Sequence, residues 1–124
     1  MGFDSFRVST VLPVEIKAPG RRDHNTALDG WVPLHHLPQC MHILLVTGAE
    51  RMHFVSYNAS VPAIHALVVI RVGRDEALLD ELREREEKFW TALGTGEPLA
   101  LTDAWRPPRT RLARVITRVP LPDR

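Results

Sequence analysis

Apolar and polar residues alternate with a period of two in parts of the chain, which is typical of β-strands. This alternation predicts strands at residues 14–17 and 51–57. Residues 3–11, rich in β-branched and aromatic side chains, and the apolar run at residues 64–72 predict two more strands. Residues 112–119 fit two structures, a terminal strand or an arm that becomes ordered only against a partner.

A period of three to four predicts two helices. The first is expected to begin or kink near Pro38, because proline disrupts a helix interior, and to end at Gly48, a favourable C-cap. Its apolar stripe consists of Leu37, Met41, Leu44 and Leu45. The second helix covers residues 74–93, and we expect one apolar face along its whole length. That face contains Leu78, Leu79, Leu82, Phe89, Trp90 and Leu93.

The order of these elements predicts the fold class. Residues 20–30 are strongly polar and predict a loop. The chain then runs strand, strand, helix, strand, strand, helix, with residues 1–96 as the core and residues 97–124 as a proline- and arginine-rich arm. This order predicts a mixed α/β fold, in which a mixed sheet is flanked by helices.

Size and composition are those of a single globular domain. The chain has 124 residues, of which 44% are hydrophobic and 25% are charged. No apolar run reaches the ~20 residues that a membrane-spanning helix needs, and the N-terminus shows no secretory signal pattern. The single cysteine, Cys40, has no partner for an internal disulfide, so we expect a soluble, cytoplasmic protein. The six histidines lack the cysteine pairs and the spacing that are typical of zinc sites.

Charge is distributed unevenly along the chain. Residues 105–124 contain six arginines and one acidic residue, whereas residues 1–104 contain ten basic and fourteen acidic residues. A basic arm on a mildly acidic body favours a polyanionic partner such as nucleic acid. Arg106 and Arg109, at the start of this arm, are candidates for contacts with phosphate.

The candidate chemistry lies in the first two predicted strands. Asp4 and Glu15 supply hard oxygen ligands of the kind that Mg²⁺ or Mn²⁺ prefers, and the backbone carbonyl of Ile16 offers a third. Lys17 follows Glu15 at the spacing that places both on one face of a strand. Such a set suits phosphodiester hydrolysis, which requires an activated water and positive charge at the phosphate. The simpler alternative is an alternating strand whose two charges face water.

Several motifs occur together in the order found in one nuclease family. Residues 14–19 (Val-Glu-Ile-Lys-Ala-Pro) resemble the signature strand of the PD-(D/E)xK nuclease superfamily. Residues 33–48 resemble the helix that follows this strand in the phage-lambda-type exonucleases, viral recombinases that resect duplex ends. A strand with an aromatic residue at 53–57 and an acidic helix ending in Phe-Trp at 87–90 follow in the same order. On these motifs the chain resembles that exonuclease family.

The resemblance implies a restriction-endonuclease-like core and a Mg²⁺- or Mn²⁺-dependent exonuclease of phage-type recombination, which acts on double-stranded DNA ends. It makes Asp4 and Glu15 metal ligands together with the Ile16 carbonyl, and it makes Lys17 the catalytic lysine. Gln39 is then a helix residue that reaches back to the site. A ring-like homo-oligomer is also implied by the family.

Three further points bear on function. Arg21 and Arg22 directly follow the signature strand, and they are either part of a solvated loop or contacts to phosphate. The family carries a helical segment before its aspartate, whereas three residues precede Asp4, so we expect an N-terminally truncated form. The second expected glutamine of the helix is Met41. The alternative function is therefore a non-catalytic remnant that binds DNA or a partner subunit.

Overall fold

A four-stranded sheet forms the centre of the molecule. The computed structural model describes residues 11–96 and 105–122. The strands are β1 (Val14–Lys17), β2 (Arg51–Tyr57), β3 (Leu67–Gly73) and β4 (Ile116–Arg118), in the order β1-β2-β3-β4. β1 runs parallel to β2, whereas the other two pairs are antiparallel. The predicted mixed sheet is confirmed.

Helices connect the strands. They are α1 (Arg21–Leu28), α2 (Leu37–Thr47), α3 (Ala63–Ala66), α4 (Glu76–Thr95) and α5 (Arg109–Leu112), and a 3₁₀ turn (Leu34–His36) leads directly into α2. Parallel strands need a long crossover connection, and α1 and α2 supply it between β1 and β2. Within the described residues no helix is both long enough and apolar enough to cross a membrane.

The core lies on one face of the sheet. Every second residue of β2 and β3 is buried there, and these residues are Met52, Phe54, Ser56, Val68, Ile70 and Val72. Leu37, Met41 and Leu44 of α2 are also buried, as their spacing predicts. The opposite face of the sheet is more open, since Val14 and Ile16 of β1 and Tyr57 of β2 are exposed.

Helix α2 begins and ends where its sequence predicts. Pro38 lies in the first turn, where its missing N–H costs nothing, and Gly48 ends the helix in the left-handed conformation with a φ of 71°. The Arg74 guanidinium donates to the carbonyl of Leu44 at 2.6 Å and to that of Ala49 at 3.1 Å. These bonds join the end of α2 to the start of α4.

The apolar face predicted for α4 is buried only along the first half of the helix. Asp75 caps the N-terminus by accepting from the Leu78 N–H, and the leucines of the first half are buried. Phe89, Trp90 and Leu93 are exposed instead, Trp90 by 69%. The neighbouring helix α2 has 11 residues whereas α4 has 20, so the second half of α4 extends beyond its packing partner. The predicted helix is confirmed, but its apolar face packs against the core only along the first half.

The loop predicted for residues 20–30 is wrong, because residues Arg21–Leu28 form helix α1. His24 and Ala27 lie on the inner face of this helix and are completely buried. The His24 ring donates through Nε2 to the His65 carbonyl at 2.7 Å, and its Nδ1 lies 2.8 Å from the Ser56 hydroxyl. Burial and these hydrogen bonds outweigh the weak helix propensity of the polar sequence.

The predictions for the two outer strands of the sheet have different outcomes. The strand predicted at residues 3–11 falls almost wholly outside the described residues, so it stays a prediction. At the other end, β4 pairs with β3 through the register Ile70 to Arg118 and Val72 to Ile116. The strand alternative for residues 112–119 is thus the observed one, although it is shorter than that range.

We expect His24→Ala to destabilise the protein by about 2–4 kcal/mol, since it opens a cavity and removes the partner of the buried Ser56 hydroxyl and of the His65 carbonyl. His65→Ala is the matched control, because His65 is exposed and takes part only through its backbone carbonyl. The free energy of unfolding in urea measures both. Equal stability of the two variants would contradict the structural role of His24.

Candidate active site

Glu15 and Lys17 project from the same face of β1. Their Cα atoms pair with those of Phe54 and Ser56, which are buried, so both charged side chains lie on the helix-covered face of the sheet. The Lys17 Nζ is 3.3 Å from the Glu15 Oε1, and the two side chains are 28% and 24% exposed. The charges therefore form a close pair at the margin of the core and remain accessible to water.

Gln39, in the first turn of α2, completes this group. Its side-chain Nε2 donates to the Glu15 Oε1 at 3.4 Å, a long hydrogen bond. Both contacts use the same oxygen of the carboxylate. The structure thus brings together three of the residues that the sequence analysis selected, Glu15, Lys17 and Gln39.

The Ile16 carbonyl points away from β2. The Pro13 carbonyl faces β2, because it accepts a hydrogen bond from the His53 N–H at 3.0 Å. Val14 and Ile16 alternate along β1 with the residues whose backbone groups face β2 in this way. Alternate residues of a strand direct their backbone groups to opposite sides. Within the described residues β1 is the end strand of the sheet, so the Ile16 carbonyl faces the unpaired side. Asp4 lies outside the described residues, and its place in the site stays a prediction.

A second group of side chains adjoins this site. Among the described residues, Asp23, His35 and His36 place one potential metal-binding atom each within 4.8 Å of one another. The His35 Nε2 lies 3.0 Å from the Asp23 Oδ2. Burial lowers the pKa of His36, and the nearby His35 and Lys17 lower it further, whereas Asp23 and Glu15 oppose this shift. His36 thus lies within the electrostatic range of both groups.

Three of the four arginines that the sequence singled out line one cleft. This cleft has a volume of about 680 Å³, and Arg22, Arg106 and Arg109 lie on its wall together with Trp31. The Arg109 guanidinium lies 4.2 Å from the centre of the Trp31 ring, a cation–π contact. Arg21, the first residue of α1, is exposed and is not part of this wall.

Other arginines of the C-terminal segment bind within the molecule. Arg111 lies 3.5 Å from Asp75 and 3.5 Å from Glu81, both near the start of α4. Arg118 donates to the Leu28 carbonyl at 2.8 Å. The basic segment is therefore attached to the body, and part of its charge is compensated there.

Sequence reasoning missed α1 and, with it, the grouping of Asp23 with the two histidines. His35 and His36 are adjacent in the sequence and offer no ligand spacing on one helix face, whereas Asp23 comes from another element. One local signal was present, because Asp23 falls in the first turn of α1, where the helix dipole favours a carboxylate. Pairing between separate elements leaves no periodic pattern in a single sequence.

The fold is similar to that of a known nuclease. An alkaline exonuclease (LHK-Exo) from Laribacter hongkongensis matches with a TM-score of 0.63 and 27% sequence identity, over 68% of this chain and 44% of the exonuclease. The structure of LHK-Exo in complex with dAMP matches with the same values. The chain thus spans less than half the length of the exonuclease. No protein-family model and no curated protein sequence matches it. The predicted nuclease-like α/β core is confirmed, and so is a resemblance to exonucleases.

Cys40 of α2 lies near Glu15 and Lys17 and is completely buried. Burial raises the pKa of its thiol to about 12, and the neighbouring Glu15 adds to the shift.

We expect Cys40 to react with a thiol reagent at pH 8 at least ~100-fold more slowly in the folded protein than in urea, since only the thiolate reacts. Equal rates in both states would contradict its burial.

Proposed function

We propose that this chain carries the catalytic strand of a metal-dependent deoxyribonuclease that hydrolyses phosphodiesters in duplex DNA, as an exonuclease at DNA ends. The observation that carries the proposal is the Glu15, Lys17 and Gln39 group on β1 and α2. It occurs in a fold that matches an exonuclease at 27% identity. Because the chain spans only part of that exonuclease, the activity of the whole protein is part of the proposal.

The donor atoms on β1 fit a Mg²⁺ or Mn²⁺ ion. Glu15 offers a partly exposed carboxylate whose Oε2 is not used by the contacts to Lys17 and Gln39. The Ile16 carbonyl faces the unpaired side of the strand, where Asp4 would add a second carboxylate. Mg²⁺ is commonly held by one or two carboxylates and retains several waters. A bound ion of this kind supplies an activated water and neutralises charge at the scissile phosphate.

The remaining residues have separate tasks in this proposal. Lys17 directs an ammonium group toward the charge that develops on the phosphate in the transition state. Gln39 is a positioning residue, because its amide holds the Glu15 carboxylate in one orientation. Arg22, Arg106 and Arg109 bind the DNA backbone in the cleft.

The first test is calorimetric titration with Mn²⁺. Wild-type protein should bind the ion, and Glu15→Gln, which keeps the shape of the side chain but removes its charge, should weaken binding by at least tenfold. Glu84→Gln on the exposed surface of α4 is the matched control and should bind like wild type. A folded wild-type protein that binds no Mn²⁺ would overturn the metal site.

Hydrolysis of linear duplex DNA separates catalysis from metal binding. The chain has two lysines, so Lys17→Ala can be compared with Lys88→Ala on the exposed surface of α4. Loss of a charge-stabilising donor should lower kcat by about 10²–10³ in Lys17→Ala, a typical loss for one such group. Metal binding should be retained in both variants. Equal cleavage rates would exclude Lys17 from the reaction.

DNA binding through the cleft is tested by salt dependence. Removal of one phosphate contact should reduce the slope of log K against log salt by about 0.9. We expect this change in Arg106→Ala and an unchanged slope in Arg83→Ala, which removes an exposed arginine of α4. Fluorescence anisotropy of a labelled duplex measures both. Binding that persists in a catalytically inactive protein would favour the alternative function, a non-catalytic DNA-binding module.

A further inference from the structure

We propose that Asp23, His35 and His36 form a transition-metal site of the Zn²⁺ class, distinct from the Mg²⁺ or Mn²⁺ site proposed at Glu15. Two separate elements supply the ligands, helix α1 and the 3₁₀ turn before α2. The three potential ligand atoms, one from each residue, all lie within 4.8 Å of one another. The inference concerns a different ligand set from the proposed nuclease site and does not depend on it.

The chemistry of the ligands selects the class of ion. Two imidazoles and one carboxylate suit Zn²⁺, Co²⁺, Ni²⁺ or Fe²⁺, whereas Mg²⁺ prefers oxygen ligands only. Zinc binds such atoms at about 2.0–2.2 Å, so that tetrahedral ligands lie about 3.4 Å apart. The His35 and Asp23 atoms are 3.0 Å apart, slightly closer than this, so they need to separate only a little to hold an ion between them. The third ligand atom, from His36, lies within 4.8 Å of the other two.

Both ligand-bearing elements are anchored before any ion binds. The adjacent His24 fixes α1 to the sheet through Ser56 and the His65 carbonyl. The turn that carries the two histidines continues without a break into α2, whose Leu37 and Cys40 are buried. An ion therefore needs to order three side chains and no backbone, which lowers the free-energy cost of binding.

The site is open on one side. The His35 side chain is 60% exposed and that of Asp23 is 29% exposed. Both residues also line the cleft that contains Arg22, Arg106 and Arg109. Three protein ligands leave at least one coordination position for water or another oxygen ligand. An anionic group held by the arginines is the kind of ligand that this position accepts.

The test uses Co²⁺ as a spectroscopic probe on untagged protein. Wild type should bind one equivalent with visible d–d absorption, and Zn²⁺ should displace it. His35→Ala and Asp23→Asn should each weaken binding by more than about tenfold, the loss that even outer partners of metal ligands cause. Circular dichroism verifies that each variant is folded, and His36→Ala provides an independent third variant.

Two controls make the result specific. His42 forms a comparable surface pair with Glu86 but belongs to no group of three among residues 11–96 and 105–122, so His42→Ala should retain full Co²⁺ affinity. Glu15→Gln should also retain it, whereas we expect that variant to bind Mn²⁺ more weakly at the proposed nuclease site. The proposal is overturned if folded wild type binds no Co²⁺, if His35→Ala and Asp23→Asn bind like wild type, or if Glu15→Gln abolishes the absorption.

Discussion

The buried imidazole of His24 determines where helix α1 lies, and much of the molecule's functional surface depends on this attachment. Its ring contacts Ser56 of β2 and the His65 carbonyl of the segment before β3. The helix therefore has one position relative to both strands. That position places Asp23 beside the histidine pair and Arg22 on the wall of the cleft. A hydrophobic residue at position 24 could fill the same space, but it would provide no directional link to the two strands.

The pairing of β1 has a comparable effect on the candidate active site. Parallel register with β2 places Glu15 opposite Phe54, so the carboxylate lies against the core and within reach of Gln39. A shift of one residue would move Glu15 and Lys17 to the other face of the sheet. The nearby core gives these charges a less polar surrounding than bulk water, while their partial exposure avoids the full cost of burying an ion pair.

The sequence predicted well the elements whose apolar residues recur with a fixed period along the chain. Strand β2 matches its predicted bounds, and α2 has the predicted start at Pro38 and end at Gly48. The grouping of Glu15 with Lys17 followed from strand geometry alone. In contrast, helix α1 depends on the burial of a single histidine, and the exposure of Trp90 depends on the length of a neighbouring helix. Neither property is visible in a local window of sequence.

The connectivity of the sheet also determines the order in which its parts gain and lose structure. β2 and β3 are consecutive antiparallel strands, so they pair through contacts that are close in sequence. β1 pairs with β2 across a crossover that contains α1 and α2, and β4 pairs with β3 across a still longer segment, so both pairings cost more chain entropy to close. We therefore expect β1 and β4, the two end strands among the described residues, to open before the β2–β3 pair. Under mild destabilisation we expect the protein to keep its β2–β3 pairing after it has lost the strand that carries Glu15 and Lys17.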